Sequence, residues 1–365
     1  MFIPISQPSI TQKEIDYVND AVTSTWISSL GKYLDRFEAE FADFCQTRFA
    51  ICVSNGTVAI QLALTANGIG KGDEVIMPNL SFIATANATL HCGATPVFAD
   101  VDPENLCLDP KSIEALITPN TKAIMPVHLY GHPAQMDVIV EIANKHGLWV
   151  IEDAAEAHGA TVKGKRVGSW GNCATFSFYG NKNLTTGEGG MITTDDEDFY
   201  NRCRYLRDHA MSKEKRYWHT APGFNFRMTN IQAAIGCAQL ERIGEFMQKR
   251  ALIFSWYDKY LTKIEGVNLN KTSSWATNAY WLICLENNNW NIEQRDQFMV
   301  ELKKRGVDSR PFFYPMSQMP YINQKVNTPN VNNIYEKGIN LPTYFDLKEE
   351  QVKFICDALN QLLNA

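Results

Sequence analysis

The chain has 365 residues and a mass of 41.3 kDa, longer than one ordinary hydrophobic core fills, so a large domain with a smaller companion is expected. Apolar residues make up 45% and charged residues 20%, the balance of a folded soluble chain, and a net charge of -6 excludes long-range attraction to nucleic acid or to an anionic membrane surface. A small anionic ligand stays open, because it needs only a local set of donors.

The first residues, MFIPISQPSI, lack a basic start followed by a long apolar run, and no segment is apolar enough to span a bilayer; a cytoplasmic location is expected. Short apolar runs bounded by turn residues then recur: AICV from Ala50, EVIMP from Glu74, TPVFADV from Thr95, KAIMPVHLYG from Lys122 and LWVIED from Leu148. Between them, TVAIQLALTANG from Thr57 and MDVIVEIANKHG from Met136 have helical spacing. This alternation predicts an α/β fold with a parallel sheet covered by helices.

After Asp153 the pattern changes to closer strands, CATFSF and GMITT, and then to a helical stretch from Asp198. The stretch TNIQAAIGCAQLERI follows, with Thr229 or Asn230 able to cap a helix rich in small residues. A large cofactor-binding domain over 1–245 and a smaller α/β domain over 246–365 are expected, the latter holding AYWLICLE and DSRPFFYP. Nine cysteines form no CxxC pair, so they read as small core residues in a reducing compartment.

Three features carry chemistry. In VSNGTVAI a strand ends at a turn with a hydroxyl and a glycine, and a helix follows; such a turn is either an ordinary capped junction or an anion site suited to phosphate. Asp153 stands where LWVIED stops, at the carboxyl end of a predicted parallel strand, the edge at which open α/β sheets meet ligands. Lys182 sits in SFYGNKNLTTGEGG among small and polar neighbours, unlike a lysine on a charged helical face. A lysine that loses its proton easily becomes a nucleophile toward aldehydes. Phosphate turn, aspartate, and lysine about 30 residues later match the three handles of pyridoxal 5'-phosphate: phosphate, ring nitrogen and aldehyde. His128, His158 and His219 share no metal-ligand spacing, so they read as structural or substrate-contact histidines and no metal is expected.

The motifs EDAAEAHG, SFYGNKNLTTGEGGM and GFNFRMTNIQAAIG, in that order, resemble the pyridoxal-phosphate sugar aminotransferases of the DegT/DnrJ/EryC1/StrS type. The likeness runs from IPISQPSI to INLPTYF. It implies the aspartate aminotransferase-like fold type I, with a mainly parallel seven-stranded sheet in the large domain. By the same resemblance, Lys182 bonds the cofactor's aldehyde and moves the proton, and Asp153 pairs with its ring nitrogen. Gly56, Thr57 and Ser177 hold the phosphate, Phe82 stacks on the ring, and Glu156 approaches the ring-oxygen side, where much of the family has glutamine. Asn225 reaches the phosphate of the neighbouring subunit, which implies a homodimer with active sites at the subunit interface.

Segments such as STWISSLGKYLDRFEAEFA, MPVHLYGHPAQM, YWHTAPGFNFRMTN and SRPFFYPMSQMPYI resemble a subgroup that aminates a GDP-linked 4-keto-6-deoxymannose, with glutamate as amino donor. Tyr179, His219, Arg310 and Tyr314 are the substrate-contact candidates in this reading. Ser317 stands where related sequences often carry histidine, near the expected place of the sugar nucleotide. UDP- or dTDP-linked sugars are the alternatives, and a non-catalytic regulator that binds cofactor or sugar nucleotide is a further one. Related 3-dehydratases carry histidine at the lysine position, so Lys182 argues against that branch.

Overall fold

A computed structural model describes residues 2–364. Helices α1 (Gln12–Thr23) and α2 (Lys32–Cys45) precede β1 (Phe49–Val53), and strands and helices then alternate: α3 (Gly56–Ala66), β2 (Glu74–Pro78), α4 (Ala84–His91), β3 (Thr95–Ala99), β4 (Thr121–Ile124), α5 (Met136–His146) and β5 (Trp149–Asp153). A short hairpin, β6 (Thr161–Val162) and β7 (Lys165–Arg166), leads to β8 (Cys173–Ser177) and β9 (Gly190–Thr194). Three helices follow: α6 (Glu197–Arg207), α7 (Asn230–Leu240) and α8 (Ile243–Tyr260). The remainder comprises β10 (Val267–Leu269), β11 (Ala276–Thr277), β12 (Ile283–Asn287), α9 (Ile292–Lys304), β13 (Arg310–Pro311), α10 (Pro329–Ile334), β14 (Gly338–Leu341) and α11 (Glu349–Leu363).

Seven strands form the main sheet in the order β1-β9-β8-β5-β4-β2-β3. All neighbouring pairs from β8 to β3 are parallel, whereas β9 runs antiparallel to both β8 and β1. This is the mainly parallel seven-stranded sheet that the resemblance implies. Its consequence is positional: the carboxyl ends of β1, β8, β5, β4 and β2 share one edge with the amino end of β9. Helices cover both faces, which is why β2 and the Trp149–Ile151 part of β5 read as apolar runs rather than alternating ones.

One strand is shorter than its sequence suggests. KAIMPVHLYG supplies only Thr121–Ile124, because Pro126 has no N–H to offer a ladder. The chain instead runs on beside β5 as irregular backbone. The Pro126 carbonyl accepts from Asp153 N–H at 2.9 Å, and His128 N–H donates to the Asp153 carbonyl at 3.0 Å. The end of β5 is therefore held on both backbone groups.

The smaller sheet has the order β10-β12-β14-β13, with all pairs antiparallel. It shares an apolar cluster with Ile253 and Tyr257 of α8, Leu302 of α9 and Ile355 and Leu359 of α11. Ile3 joins the same cluster, its N–H bonded to the Gly306 carbonyl at 2.8 Å. β11 pairs with β6, Ala276 opposite Val162, and so ties the segment leading to β12 onto the larger unit.

Candidate active site

The turn after β1 is compressed between two neighbours. A Cβ on Gly56 would lie 2.7 Å from the Ser177 Cβ, and one on Gly190 would lie 2.5 Å from the Asn55 carbonyl oxygen. Neither distance is one that real side chains adopt, so both glycines are required by close approach. Asn55 caps α3 by accepting from Val58 N–H at 3.0 Å. The N–H groups of Gly56 and Thr57 have no acceptor among the described residues. Two free amides and the Ser177 hydroxyl thus converge at one helix start, a ready site for a phosphate.

Asp153, at the end of β5, is buried. One carboxylate oxygen accepts from the Thr85 hydroxyl at 2.8 Å and the other from Ala155 N–H at 3.3 Å. It has no ion-pair partner among the described residues, and burial pushes its carboxyl above the ordinary aspartate value despite the Thr85 bond and the nearby Lys182 charge. A cationic ring nitrogen placed against it would reverse that shift. Behind it, His128 bonds Glu152 at 3.1 Å through Nε2 and accepts Ala134 N–H through Nδ1 at 3.0 Å. Both of its nitrogens are used, which makes it a structural histidine of the strand's end.

Lys182 and Glu156 face one another at 3.5 Å, with side chains 11% and 4% exposed. Burial dominates both groups: it lowers the lysine's proton affinity and raises Glu156 to about 7, with the mutual attraction opposing each shift. Burial thus favours the neutral amine relative to a solvated lysine. Glu156 is anchored by Tyr130 N–H at 2.9 Å. Tyr130 holds that position with φ of 53°, a left-handed conformation that costs a tyrosine roughly 1–2 kcal/mol. On its other side Lys182 Nζ lies 3.8 Å from the Trp281 ring centroid.

The outer candidates divide. Phe82 is 55% exposed at the rim, its ring 5.8 Å from Phe313. Tyr179 and Tyr314 are exposed nearby, Tyr179 N–H bonding Ser177 Oγ at 3.4 Å and Tyr314 OH accepting from Arg295 at 3.3 Å. Arg310 is on β13, with its guanidinium paired to Asp308 and bonded to the Ser309 carbonyl. His219 and Asn225 lie on the exposed excursion between α6 and α7, where His219 Nδ1 bonds the His209 carbonyl at 2.8 Å. Ser317 is buried and locked to Asn79: its hydroxyl and its N–H each bond the amide at 2.9 Å. It fastens the segment after Tyr314 to the end of β2.

Sequence reasoning missed Thr85, Tyr130, Trp281 and Gly190. Thr85 had a faint signal, a hydroxyl one helical turn beyond Phe82. Trp281 had none, because its neighbour Asn181 is 100 residues away in the chain. Among the described residues no group of histidine, cysteine and acidic side chains could hold a metal ion.

The residues present fit pyridoxal 5'-phosphate: a cradle closed to any Cβ, a buried carboxyl lacking a cation, and a desolvated amine. Residues 8–360 match the DegT/DnrJ/EryC1/StrS aminotransferase family. The chain is 47% identical to GDP-perosamine synthase of Caulobacter vibrioides over 365 residues, covering 99% of this chain and 98% of that protein. It is 45% identical to GDP-perosamine synthase of Escherichia coli O157:H7, with the same coverage. Its fold matches the PLP-form of Spr1654 from Streptococcus pneumoniae with a TM-score of 0.95 at 29% identity, covering 100% of this chain and 99% of that one. The chain belongs to the DegT/DnrJ/EryC1/StrS aminotransferase family, and its cofactor is pyridoxal 5'-phosphate.

Proposed function

We propose that the protein moves the amino group of glutamate to C4 of GDP-4-keto-6-deoxy-D-mannose, giving GDP-perosamine, an amino sugar of the kind built into lipopolysaccharide O-antigen. The observation that carries this reading is the full-length likeness, at 45% and 47% identity, to two GDP-perosamine synthases. The cofactor supplies an aldehyde that takes up the amino group and a ring that withdraws electrons while a carbon-bound proton is moved.

The chain's own residues do the rest. Gly56 and Thr57 N–H with the Ser177 hydroxyl fix the phosphate, and the Asp153 carboxylate keeps the ring nitrogen protonated. Phe82 would cover one face of the ring. Lys182 Nζ would take the proton from the donor carbon and later deliver one at C4 of the sugar. Glu156 Oε1, beside Nζ, shares that proton.

Incubating the enzyme, cofactor and glutamate separately with GDP-, UDP- and dTDP-linked 4-keto-6-deoxyhexoses, followed by mass spectrometry of the nucleotide sugar, tests the substrate. Amination of the GDP-linked mannose compound alone is expected; amination of only a UDP- or dTDP-linked sugar overturns the GDP assignment. Lys182→Ala should fold normally and lose at least about 1,000-fold in turnover. A Lys182→Ala protein with normal turnover would remove the lysine from the mechanism.

A further inference from the structure

Trp281 follows β11 and stands just before β12, yet its ring reaches the centre of the site. It is 5% exposed, and Lys182 Nζ lies over its face, 3.8 Å from the centroid. Its indole N–H donates to the Asn181 carbonyl at 2.8 Å, which ties the ring to the backbone one residue before the lysine. Tyr130, the residue that anchors Glu156, stacks on it at 6.3 Å with 22° between the planes.

The backbone behind the ring is clamped as firmly. Arg250 of α8 is buried and donates to the carbonyls of Tyr280 at 3.2 Å, Trp281 at 2.8 Å and Thr343 at 3.4 Å. No carboxylate pairs with it among the described residues, so this guanidinium is buried on carbonyls alone, a costly arrangement that a packing role for Trp281 does not require. Gly131 packs against the same place: a Cβ there would lie 2.6 Å from both the Tyr280 and Trp281 nitrogens.

We propose that the face of Trp281 is the resting seat of the Lys182 amine whenever that amine is not bonded to the cofactor, so that Trp281 is a positioning residue for the proton transfers. A freed lysine has a long flexible stem and wanders unless something holds its head. The indole quadrupole attracts the ammonium form and Glu156 takes the other side, so Nζ is held between them. The proposal rests on Lys182 being the covalent anchor, and it adds where the amine goes between bonded states.

The test uses cofactor-free full-length protein. Competitive acylation of lysines by acetic anhydride across pH, read at Lys182 by mass spectrometry, gives the midpoint at which the amine loses its proton. Trp281→Phe and Trp281→Leu are compared, with circular dichroism as the control for folding. Losing the aromatic face removes a stabilisation of the charged form, so the midpoint should fall by about half to one and a half pH units in Trp281→Leu and by less in Trp281→Phe. In the holoenzyme the acid limb of kcat should move to lower pH in the same order. An unchanged midpoint, a rise, or an equal fall in both variants overturns the proposal, the rise showing that the ring only excludes water. Normal turnover by Lys182→Ala would instead sink the anchor reading, and the two failures are separate.

Discussion

His158 shows how far a single residue can be read from sequence. It lies in EDAAEAHG, two positions beyond Glu156, and the sequence leaves it a structural or a substrate-contact histidine. In the structure it is fully buried between Phe176 and Phe178, with ring centroids 5.5 and 5.6 Å away, and neither ring nitrogen has a partner. Burial, reinforced by the Lys182 and Arg250 charges, pushes its proton affinity down to about 3 from an ordinary 6.5. Between those limits the unfolded chain binds a proton that the folded chain refuses, so stability is lost as pH falls below about 6.5. His158→Leu should therefore gain about 2–3 kcal/mol relative to the parent between about pH 7.5 and pH 4.5. Urea unfolding of both proteins at the two pH values measures it, and a pH-independent difference would show that His158 titrates alike in the folded and unfolded chain. Asp153 and Lys182 were legible because their neighbours in sequence announce a strand end and a glycine-rich loop; the environment of His158 is made by Phe176 on β8 and Phe178 just after it.

At the scale of elements, the strand-to-helix junctions carry the site. The sequence could place the turn after AICV but could not choose between an ordinary cap and a phosphate cradle. The register decides: Ser177 and Val53 both lie opposite Gly190, so three strand ends press on one turn. Gly56→Ala should then cost about 1–3 kcal/mol of stability through overpacking and weaken cofactor binding at least about tenfold, because the Cβ and Ser177 cannot both keep their places. A thermal melt and an absorbance titration with pyridoxal 5'-phosphate check both effects; unchanged affinity would mean that the cradle is not the phosphate site. The element level also explains Ser317. A histidine-to-serine difference read as a change in substrate contact is, in this chain, part of a buried tie from Asn79 to Ser317 and Thr328.

At the scale of the whole molecule, the exposed apolar residues ask for a partner. Trp26, Ile27 and Leu30 in the loop between α1 and α2, and Tyr217 and Trp218 in the excursion before α7, are 49–75% exposed, unusual for large side chains on a lone soluble chain. We propose a homodimer in which Asn225 serves the partner's phosphate cradle. Co-refolding Lys182→Ala with Asn225→Ala subunits separates the possibilities. If Asn225 acts across the interface, each hybrid dimer contains one intact site, and statistical mixing should return about a quarter of parental activity. If Asn225 acts within its own chain, no hybrid site is intact and activity stays at the level of the two variants alone. No described helix is long and apolar enough to cross a membrane.

The sequence by itself determined the alternation of strands and helices, the cofactor class and the residues on the strand ends. Those follow from local causes: apolar periodicity, turn chemistry, and motifs whose members lie close together in the chain. Only the tertiary structure decided that Gly190 closes the phosphate turn, that Thr85 holds Asp153, that Tyr130 in a left-handed conformation holds Glu156, and that Trp281 lies over Lys182. Each of these contacts joins segments distant in sequence, through sheet register or through the seam between β11 and β12. Their chemistry depends on burial and distance, which no local pattern encodes.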